Sequence, residues 1–167
     1  MCKDSRTLFV RQKLPASYSN MLLNYVEVFR SLNVNATAKL GPKPYKPALL
    51  LAVIAEIEAG RIRNNQIIIT PELIASFREY RQKLGATSGF QVRNFIYPFF
   101  HLRGEGFWRL QEKPGMKLPE TSASYVGGLK QLQDTVAYAR LDLNLWHLLQ
   151  QEKTRIILRN ELLAKYG

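Results

Sequence analysis

Three short segments of this 167-residue chain combine aromatic residues with basic residues, histidine or proline, and are the first candidates for a functional site. Residues 41–51 read GPKPYKPALLL, residues 94–102 read NFIYPFFHL, and residues 107–110 read FWRL. Each segment has an ordinary explanation, since Pro47 suits the first turn of a helix and a leucine run suits a core. Tyr97 and the phenylalanines after it are more often core aromatics than the walls of a pocket. The ordered set is more specific than any one segment.

The charge of the chain indicates a polyanionic partner. The 24 lysine and arginine residues outnumber the 13 acidic residues and give a net charge of +11, which favours DNA, RNA or an anionic membrane surface. Residues 28–55 and residues 80–104 contain no acidic residue. We predict that these two loop-rich stretches form a face that follows phosphates. Their basic residues are Arg30, Lys39, Lys43, Lys46, Arg81, Lys83, Arg93 and Arg103.

The sequence offers little for catalysis or metal binding. Metal sites need clustered histidine, cysteine and carboxylate ligands, whereas His101 and His147 lie far apart and Cys2 is near the N-terminus. The GEG sequence at 104–106 is a simple turn, and neither a nucleophile elbow nor a GxxxxGK[ST] phosphate loop occurs. We expect His147 to be a partly buried structural residue. We therefore predict a binding domain that is no enzyme and takes no cofactor, metal or small-molecule substrate.

The composition favours one soluble domain in the cytoplasm. Hydrophobic residues make up 46% of the chain, which suffices for a core at this length. A single cysteine cannot form an intrachain disulfide, and the N-terminus lacks the pattern of a signal peptide. The longest nearly apolar run, residues 47–55, is too short to cross a bilayer. These features predict a cytoplasmic protein that contacts no membrane.

Hydrophobic periodicity predicts helices for much of the first half of the chain. We expect a helix over residues 19–32, a loop over residues 33–44, and a central helix over residues 48–59 that is apolar on most faces. A further helix should begin after Thr70, its N-cap, and end before Gly85. The residues on its buried face should be Leu73, Ile74, Phe77, Tyr80 and Leu84.

The remaining segments predict a small sheet and the closing helices. Residues 66–69 include three β-branched isoleucines and residues 106–111 surround Trp108, so each segment predicts a short strand. Two or three helices finish the chain, the clearest over residues 153–166. The fold class is therefore mainly α, a single domain over residues 1–167 with about seven helices and a small two- or three-stranded sheet. The inward residues of the last helix should be Ile156, Ile157, Leu162 and Leu163.

Taken together, the three segments resemble the sulfur-binding domain of phosphorothioate-dependent restriction endonucleases, the McrA-like HNH enzymes. The resemblance extends over nearly the whole chain, to the closing LLAKY sequence at 162–166. It implies binding of double-stranded DNA in which sulfur replaces one non-bridging phosphate oxygen. It also implies that the chain is an N-terminal recognition module and that an HNH nuclease domain follows Gly167.

The resemblance also implies roles for individual residues. The pair before the proline of the leucine helix, here Tyr45 and Lys46, would read bases and backbone, where the family carries a histidine and a basic residue. The sulfur pocket would consist of Tyr97, Pro98 and His101, although a small residue is commoner at the last position. Further DNA contacts are expected from the loop after the tryptophan strand and from the basic stretches. The candidates are Lys117, Ser122, Ser124, Lys43 and Arg93.

Other functions remain open at this point. A winged-helix-like regulator of unmodified DNA would need a recognition helix with exposed polar side chains, and the leucine helix is too apolar for that role. A metal-dependent nuclease complete in this chain would need a ligand cluster that the sequence does not supply. RNA binding is less favoured, because no exposed platform of aromatic and basic strand residues is evident.

Overall fold

The computed structural model of the chain describes residues 16–34, 36–37, 41–120 and 127–167. This part of the chain contains seven α-helices, one short 3-10 helix and two pairs of antiparallel strands, so the predicted mainly α fold class is confirmed. In chain order the elements are α1 (Ala16–Arg30), β1 (Ala36–Thr37), β2 (Gly41–Pro42), α2 (Tyr45–Glu58), α3 (Pro71–Lys83), α4 (Arg93–His101), the 3-10 helix (Leu102–Glu105), β3 (Trp108–Glu112), α5 (Leu129–Thr135), β4 (Val136–Leu141), α6 (Leu143–Gln150) and α7 (Glu152–Tyr166).

Helix α2 is the centre of the fold, as its apolar sequence predicts. Ten of its fourteen residues are buried, because it packs against α3, α4, α6 and α7 on different sides. Pro47 lies in its first turn, where the missing N–H disturbs no helical hydrogen bond. Gly60 follows the helix with φ +74°, a left-handed conformation that glycine adopts without strain.

The predicted cap of α3 is confirmed. Thr70 is the N-cap, and its hydroxyl oxygen accepts a hydrogen bond from the backbone N–H of Leu73 at 3.1 Å. Leu73, Phe77 and Leu84 are buried as expected, whereas Ile74 and Tyr80 are only half-buried at the edge of the core. The cap determines where α3 begins, and the buried residues of α3 determine which of its faces packs against α2.

The predicted strand at 66–69 is reduced to a single bridge. Ile67 exchanges two backbone hydrogen bonds with Ala139 of β4, at 2.7 and 2.9 Å. Next to this bridge, the side-chain amide of Asn65 makes the two hydrogen bonds that a neighbouring strand would otherwise make. It donates to the carbonyl oxygen of Leu141 and accepts from the N–H of the same residue. Because α3 begins just after Thr70, no room is left for a longer ladder. The true partner of β3 is β4, with Trp108 opposite Leu141, and the sequence patterns did not identify it.

Several other predictions are wrong in detail. Residues 33–44 include the paired strands β1 and β2 as well as loop, and the second acid-free stretch contains α4 and is therefore not mainly loop. In α7 the buried residues are Thr154, Leu158 and Leu162, whereas Leu163 is exposed and Ile156 and Ile157 are half-buried. A four-residue spacing of the buried positions explains this, because it keeps them on one stripe.

Two further observations concern the surface. His147 on α6 is exposed and not partly buried as expected. Among the described residues, no helix has the length and apolar character needed to span a bilayer.

Candidate nucleic-acid interface

The two ends of the central helix α2 differ in charge. Its N-terminal turn contains Tyr45 and Lys46, no acidic residue and no side-chain cap. Its C-terminal turn contains Glu56 and Glu58, whose carboxylates pair with arginines. Fourteen residues at about 1.5 Å each separate these ends by roughly 20 Å. The positive end of the helix dipole coincides with the lysine end, so this end of α2 favours an anion.

Helix α4 contains the three residues of the predicted sulfur pocket, of which Tyr97 and His101 are exposed. Tyr97 and His101 are four residues apart, and their rings stack edge to face at 6.4 Å between centroids. Pro98 is buried beside them. Tyr97 is 39% exposed, so it is not a core aromatic, whereas Phe99 and Phe100 are fully buried. The core face and the pocket face of α4 are therefore distinct.

Contacts with core residues fix the position of the buried face of α4. The indole N–H of Trp108 donates a buried hydrogen bond to the carbonyl oxygen of Phe99 at 2.9 Å, and the two rings meet at right angles. On the other side Phe95 stacks on Phe99 and meets Phe77 edge to face. Because these contacts fix the orientation of α4, they also fix where Tyr97 and Pro98 point.

A cavity of about 450 Å³ lies where the N-terminal end of α2 meets α4, and we name it the first cavity. Six of the residues assigned by sequence line it together: Lys43, Tyr45, Lys46, Tyr97, Pro98 and His101. Asn33, Val34, Gly104 and Glu105 complete the lining. The end of α1 is held in place by Tyr166, whose hydroxyl donates to the carbonyl of Phe29 and accepts from the N–H of Leu32. The structure thus brings residues from four regions of the chain to one site.

Glu105 is the residue in this site that sequence reasoning missed. Its carboxylate lies 2.6 Å from the ammonium of Lys46, and the two side chains are only 11% and 14% exposed. The same carboxylate oxygen accepts a hydrogen bond from the N–H of Asn33 at 2.9 Å. Lys46 is therefore a paired, largely buried cation and not a solvated helix cap. A pair of this kind loses much hydration when it forms, so removing either partner leaves an unpaired charge.

His101 contributes no positive charge at neutral pH. Partial burial lowers the pKa of its imidazole below the ordinary value of 6.5, and the nearby cations Lys46 and Arg103 lower it further. Protonation would add a third cation to this group. The wall formed by Tyr97, Pro98 and His101 is therefore uncharged and largely composed of ring surfaces.

A second cavity of about 410 Å³ lies beside the first and shares Lys43, Tyr45 and Tyr97 with it. Its other walls are residues 84–89, which connect α3 to α4, and the beginning of α4. Arg93, a predicted DNA contact, lines this second cavity and not the first. The described residues that line it include no aspartate or glutamate.

The predicted contacts on the loop after β3 are less well placed. Lys117 is exposed and lines neither cavity, and Ser122 and Ser124 lie outside the described residues. The loop is nevertheless tied to the end of α4, because the guanidinium of Arg103 donates to the carbonyl of Pro119 at 3.1 Å while packing on the ring of Phe100. In the described part of the chain, no three histidine, cysteine or acidic side chains group closely enough to hold a metal ion.

A family model described as ScoMcrA-like, DNA sulfur-binding domain matches residues 23–166 of the chain. The chain belongs to this family. The match extends from α1 to the end of α7 and includes every residue that lines the two cavities. No curated protein matches the chain by sequence. Membership in this DNA-binding family removes the winged-helix regulator as an alternative for this sulfur-binding domain.

Two solved structures share the fold. The first is the sulfur binding domain and SRA domain of ScoMcrA complexed with phosphorothioated DNA, with a TM-score of 0.64, 18% identity and 85% of this chain covered. This chain spans 42% of the length of that protein chain. The second is the sulfur binding domain of ScoMcrA complexed with phosphorothioated DNA, with a TM-score of 0.60, 22% identity and coverage of 85% of this chain and 86% of that one.

Proposed function

We propose that this sulfur-binding domain binds double-stranded DNA that carries a phosphorothioate and seats the sulfur in the first cavity. The observation that carries the proposal is the uncharged wall of Tyr97, Pro98 and His101 beside the lysines at the N-terminal end of α2. Both similar ScoMcrA structures are complexed with phosphorothioated DNA. The membership of the chain in the family supports the same ligand.

The chemistry of sulfur explains why such a wall is selective. Sulfur is larger and more polarisable than oxygen and accepts hydrogen bonds poorly, so it gains dispersion contacts from the rings of Tyr97 and Pro98. A phosphate oxygen packed against the faces of these two rings would lose water and gain no hydrogen bond from them. An unsatisfied polar group costs about 1–3 kcal/mol, which corresponds to a roughly ten- to hundredfold preference for the modified DNA.

The affinity common to all DNA comes from other residues. Lys43 and Arg93 are exposed cations on the edges of the two cavities, and cations of this kind bind phosphates without regard to sequence. Tyr45 lies between the two cavities and is placed to contact the backbone or a base edge. The pairing of Lys46 with Glu105 limits the net charge that surrounds the sulfur. We therefore assign selection to α4 and general attraction to the cations around it.

The test is a fluorescence anisotropy titration of the chain with one duplex, prepared with and without a single phosphorothioate. We expect the modified duplex to bind about ten- to hundredfold more tightly. The two sulfur stereoisomers should be measured separately, since the cavity presents its ring wall on one side. Equal affinities for both stereoisomers and for the unmodified duplex would rule the proposal out.

We further propose that the domain is the recognition module of a modification-dependent HNH restriction nuclease in the cytoplasm. In the first similar structure a sulfur binding domain is accompanied by an SRA domain, so domains of this kind occur beside others. Residues 1–167 alone should bind phosphorothioated plasmid and not nick it with magnesium or manganese present. Metal-dependent cleavage that copurifies with this chain would contradict the assignment of the chemistry to another domain.

A further inference from the structure

The second cavity presents the donors and acceptors that recognise a nucleotide. Hydroxyls come from Thr87 and Ser88, and amides come from Gln91, just before α4, and from Asn94 in its first turn. The two cations are Lys43 and Arg93. Cations bind phosphates, whereas amides and hydroxyls read the edges of bases.

The position of this cavity relates it to the DNA path. It shares the wall of Lys43, Tyr45 and Tyr97 with the first cavity, so the two are continuous at the surface. Successive nucleotides of one strand rise by only about 3.4 Å along the duplex axis. A strand whose modified phosphate occupies the first cavity and which runs toward the shared wall places a neighbouring nucleotide against the second cavity.

A buried arginine sets the shape of the cavity. Arg81 is 3% exposed, and its guanidinium donates to the carbonyl oxygen and the hydroxyl of Ser88, both at 2.7 Å. It forms no ion pair with any carboxylate in the described part of the chain, and its Nε atom is buried without a partner. A buried cation without a carboxylate is costly. The bonds of Arg81 to Ser88 hold residues 84–89 in one conformation.

The same guanidinium connects this loop to the wall between the cavities. It lies 5.8 Å from the ring centroid of Tyr45, within the range of a cation–π contact. The amide of Asn94 in turn donates to the hydroxyl of Tyr45 at 3.3 Å, and its oxygen accepts from the N–H of Gln91. The loop, Tyr45 and the first turn of α4 are therefore held together as one surface.

Two polar side chains of this surface make no hydrogen bond in the part of the chain that the structure describes. Thr87 and Gln91 are exposed, and neither side chain makes a hydrogen bond to another described residue. They stand beside Asn94 and Ser88, whose side chains are occupied in holding the loop. The structure thus separates the groups that hold the surface from groups that are free for a ligand.

We propose that the second cavity binds the nucleotide next to the sulfur-bearing phosphate, and that Thr87 and Gln91, on a loop positioned by Arg81, determine which base is preferred there. This inference rests on the proposed function, because the first cavity must hold the modified phosphate. It assigns selection for sulfur and selection for sequence to different residues. Arg81 acts only as a positioning residue.

The test measures both kinds of selection in one set of titrations. A panel of phosphorothioated duplexes varies the base pair next to the modification, and each has an unmodified counterpart. The variant is Thr87→Ala/Gln91→Ala. The control is Gln82→Ala, which removes an exposed amide from the last turn of α3 outside both cavities. We expect wild type and control to show a spread of on the order of tenfold across the panel.

In the double variant that spread should fall to less than about twofold, while the preference for sulfur stays at its wild-type value. Arg81→Lys should reduce the spread similarly if it remains folded by melting temperature, because lysine lacks the planar group that bonds Ser88 and faces Tyr45. A wild type without preference for sulfur defeats the proposed function. A double variant that retains the full spread, or loses the preference for sulfur with it, overturns the present inference alone.

Discussion

The two cavities share a wall but differ in charge and in the origin of their shape. The first contains the buried Lys46–Glu105 pair and a neutral His101. The second has no acidic residue in its described lining and is shaped by a loop that Arg81 holds. A balanced site with ring surfaces can distinguish one atom from another, whereas a basic site with amides attracts DNA and can read its edges. If the first cavity holds the sulfur, as we propose, selection for sulfur does not require the strongest positive charge.

The largest expected effect concerns the ring wall of the first cavity. Tyr97→Ala should reduce the preference for modified DNA from roughly ten- to hundredfold to about one, because sulfur loses its ring contact while a phosphate oxygen loses little. Binding supported by Lys43 and Arg93 should survive. Anisotropy titrations with the paired duplexes measure this ratio.

Melting temperatures distinguish a loss of the sulfur contact in Tyr97→Ala from a loss of the fold. Tyr97 is 39% exposed, so its truncation should destabilise the fold far less than the roughly 3–5 kcal/mol typical of a buried aromatic residue. Phe99→Ala, two residues further along α4 and on its core face, supplies that contrast and should weaken binding to both duplexes together. A folded Tyr97→Ala variant with its full preference for sulfur would show that the ring is not in the pocket.

The next largest effect is that of salt, which should lower the overall affinity for DNA without changing the preference for sulfur. If about three phosphates are bound by cations, affinity should fall roughly fortyfold between 50 and 200 mM salt, since the slope is about −0.9 for each contact. The ratio of affinities for modified and unmodified DNA should stay constant over that range. Arg93→Ala should make the slope less steep by about one and leave the ratio alone. A ratio that itself varies with salt would mean that charge and not ring contact selects sulfur.

The sequence predicted the helices better than their interactions with one another. The helical period, the Thr70 cap and the apolar run of α2 act within one element, so a local pattern is enough to identify them. The pairing of β3 with β4 and the Asn65 contact with Leu141 join residues far apart in the chain. Local patterns carry no information on such partners, which explains the misjudged strand at 66–69.

The candidate site was likewise predicted in its local motifs and not in the contacts between distant residues. The sequence identified six residues that the structure places in the first cavity, five through the resemblance and Lys43 through the charge pattern, although their contact with DNA stays a prediction. The resemblance did not identify Glu105, because a GEG turn gives no sign that its carboxylate folds back on Lys46. It also gave no role to Arg81, whose importance becomes visible only with its burial and its bonds to Ser88.

Substitutions of the two partners in the Lys46–Glu105 ion pair should have opposite effects on the affinity for DNA. Lys46→Ala leaves the Glu105 carboxylate unpaired beside the incoming phosphate and should weaken binding to both duplexes by about 1–3 kcal/mol. Glu105→Gln keeps an oxygen for the N–H of Asn33 but removes the negative charge. It should strengthen binding, more for unmodified than for modified DNA, so that the preference for sulfur falls severalfold. Two variants that weaken binding equally would mean that the pair serves only the fold.

The smallest expected effect is a dependence on pH that His101 alone produces. Its pKa lies below 6.5 in the folded chain because the imidazole is partly buried and lies near Lys46 and Arg103, so protonation sets in only as the pH falls below 6.5. The added cation offers a hydrogen bond to a phosphate oxygen, from which unmodified DNA gains more than sulfur does. The preference for modified DNA should therefore decrease toward acid pH, by roughly a few-fold at most.

His101→Gln, which stays neutral at every pH, should remove this dependence. The only other histidine, His147, is exposed on α6 and lines neither cavity, so it provides a matched His147→Gln control that keeps the dependence. Because folding lowers the pKa of His101, its contribution to stability is present above pH 6.5 and is lost as the pH falls below that value. Melting temperatures at each pH separate that loss from a change in binding. A preference that declines equally in wild type and in His101→Gln would assign the effect to another group.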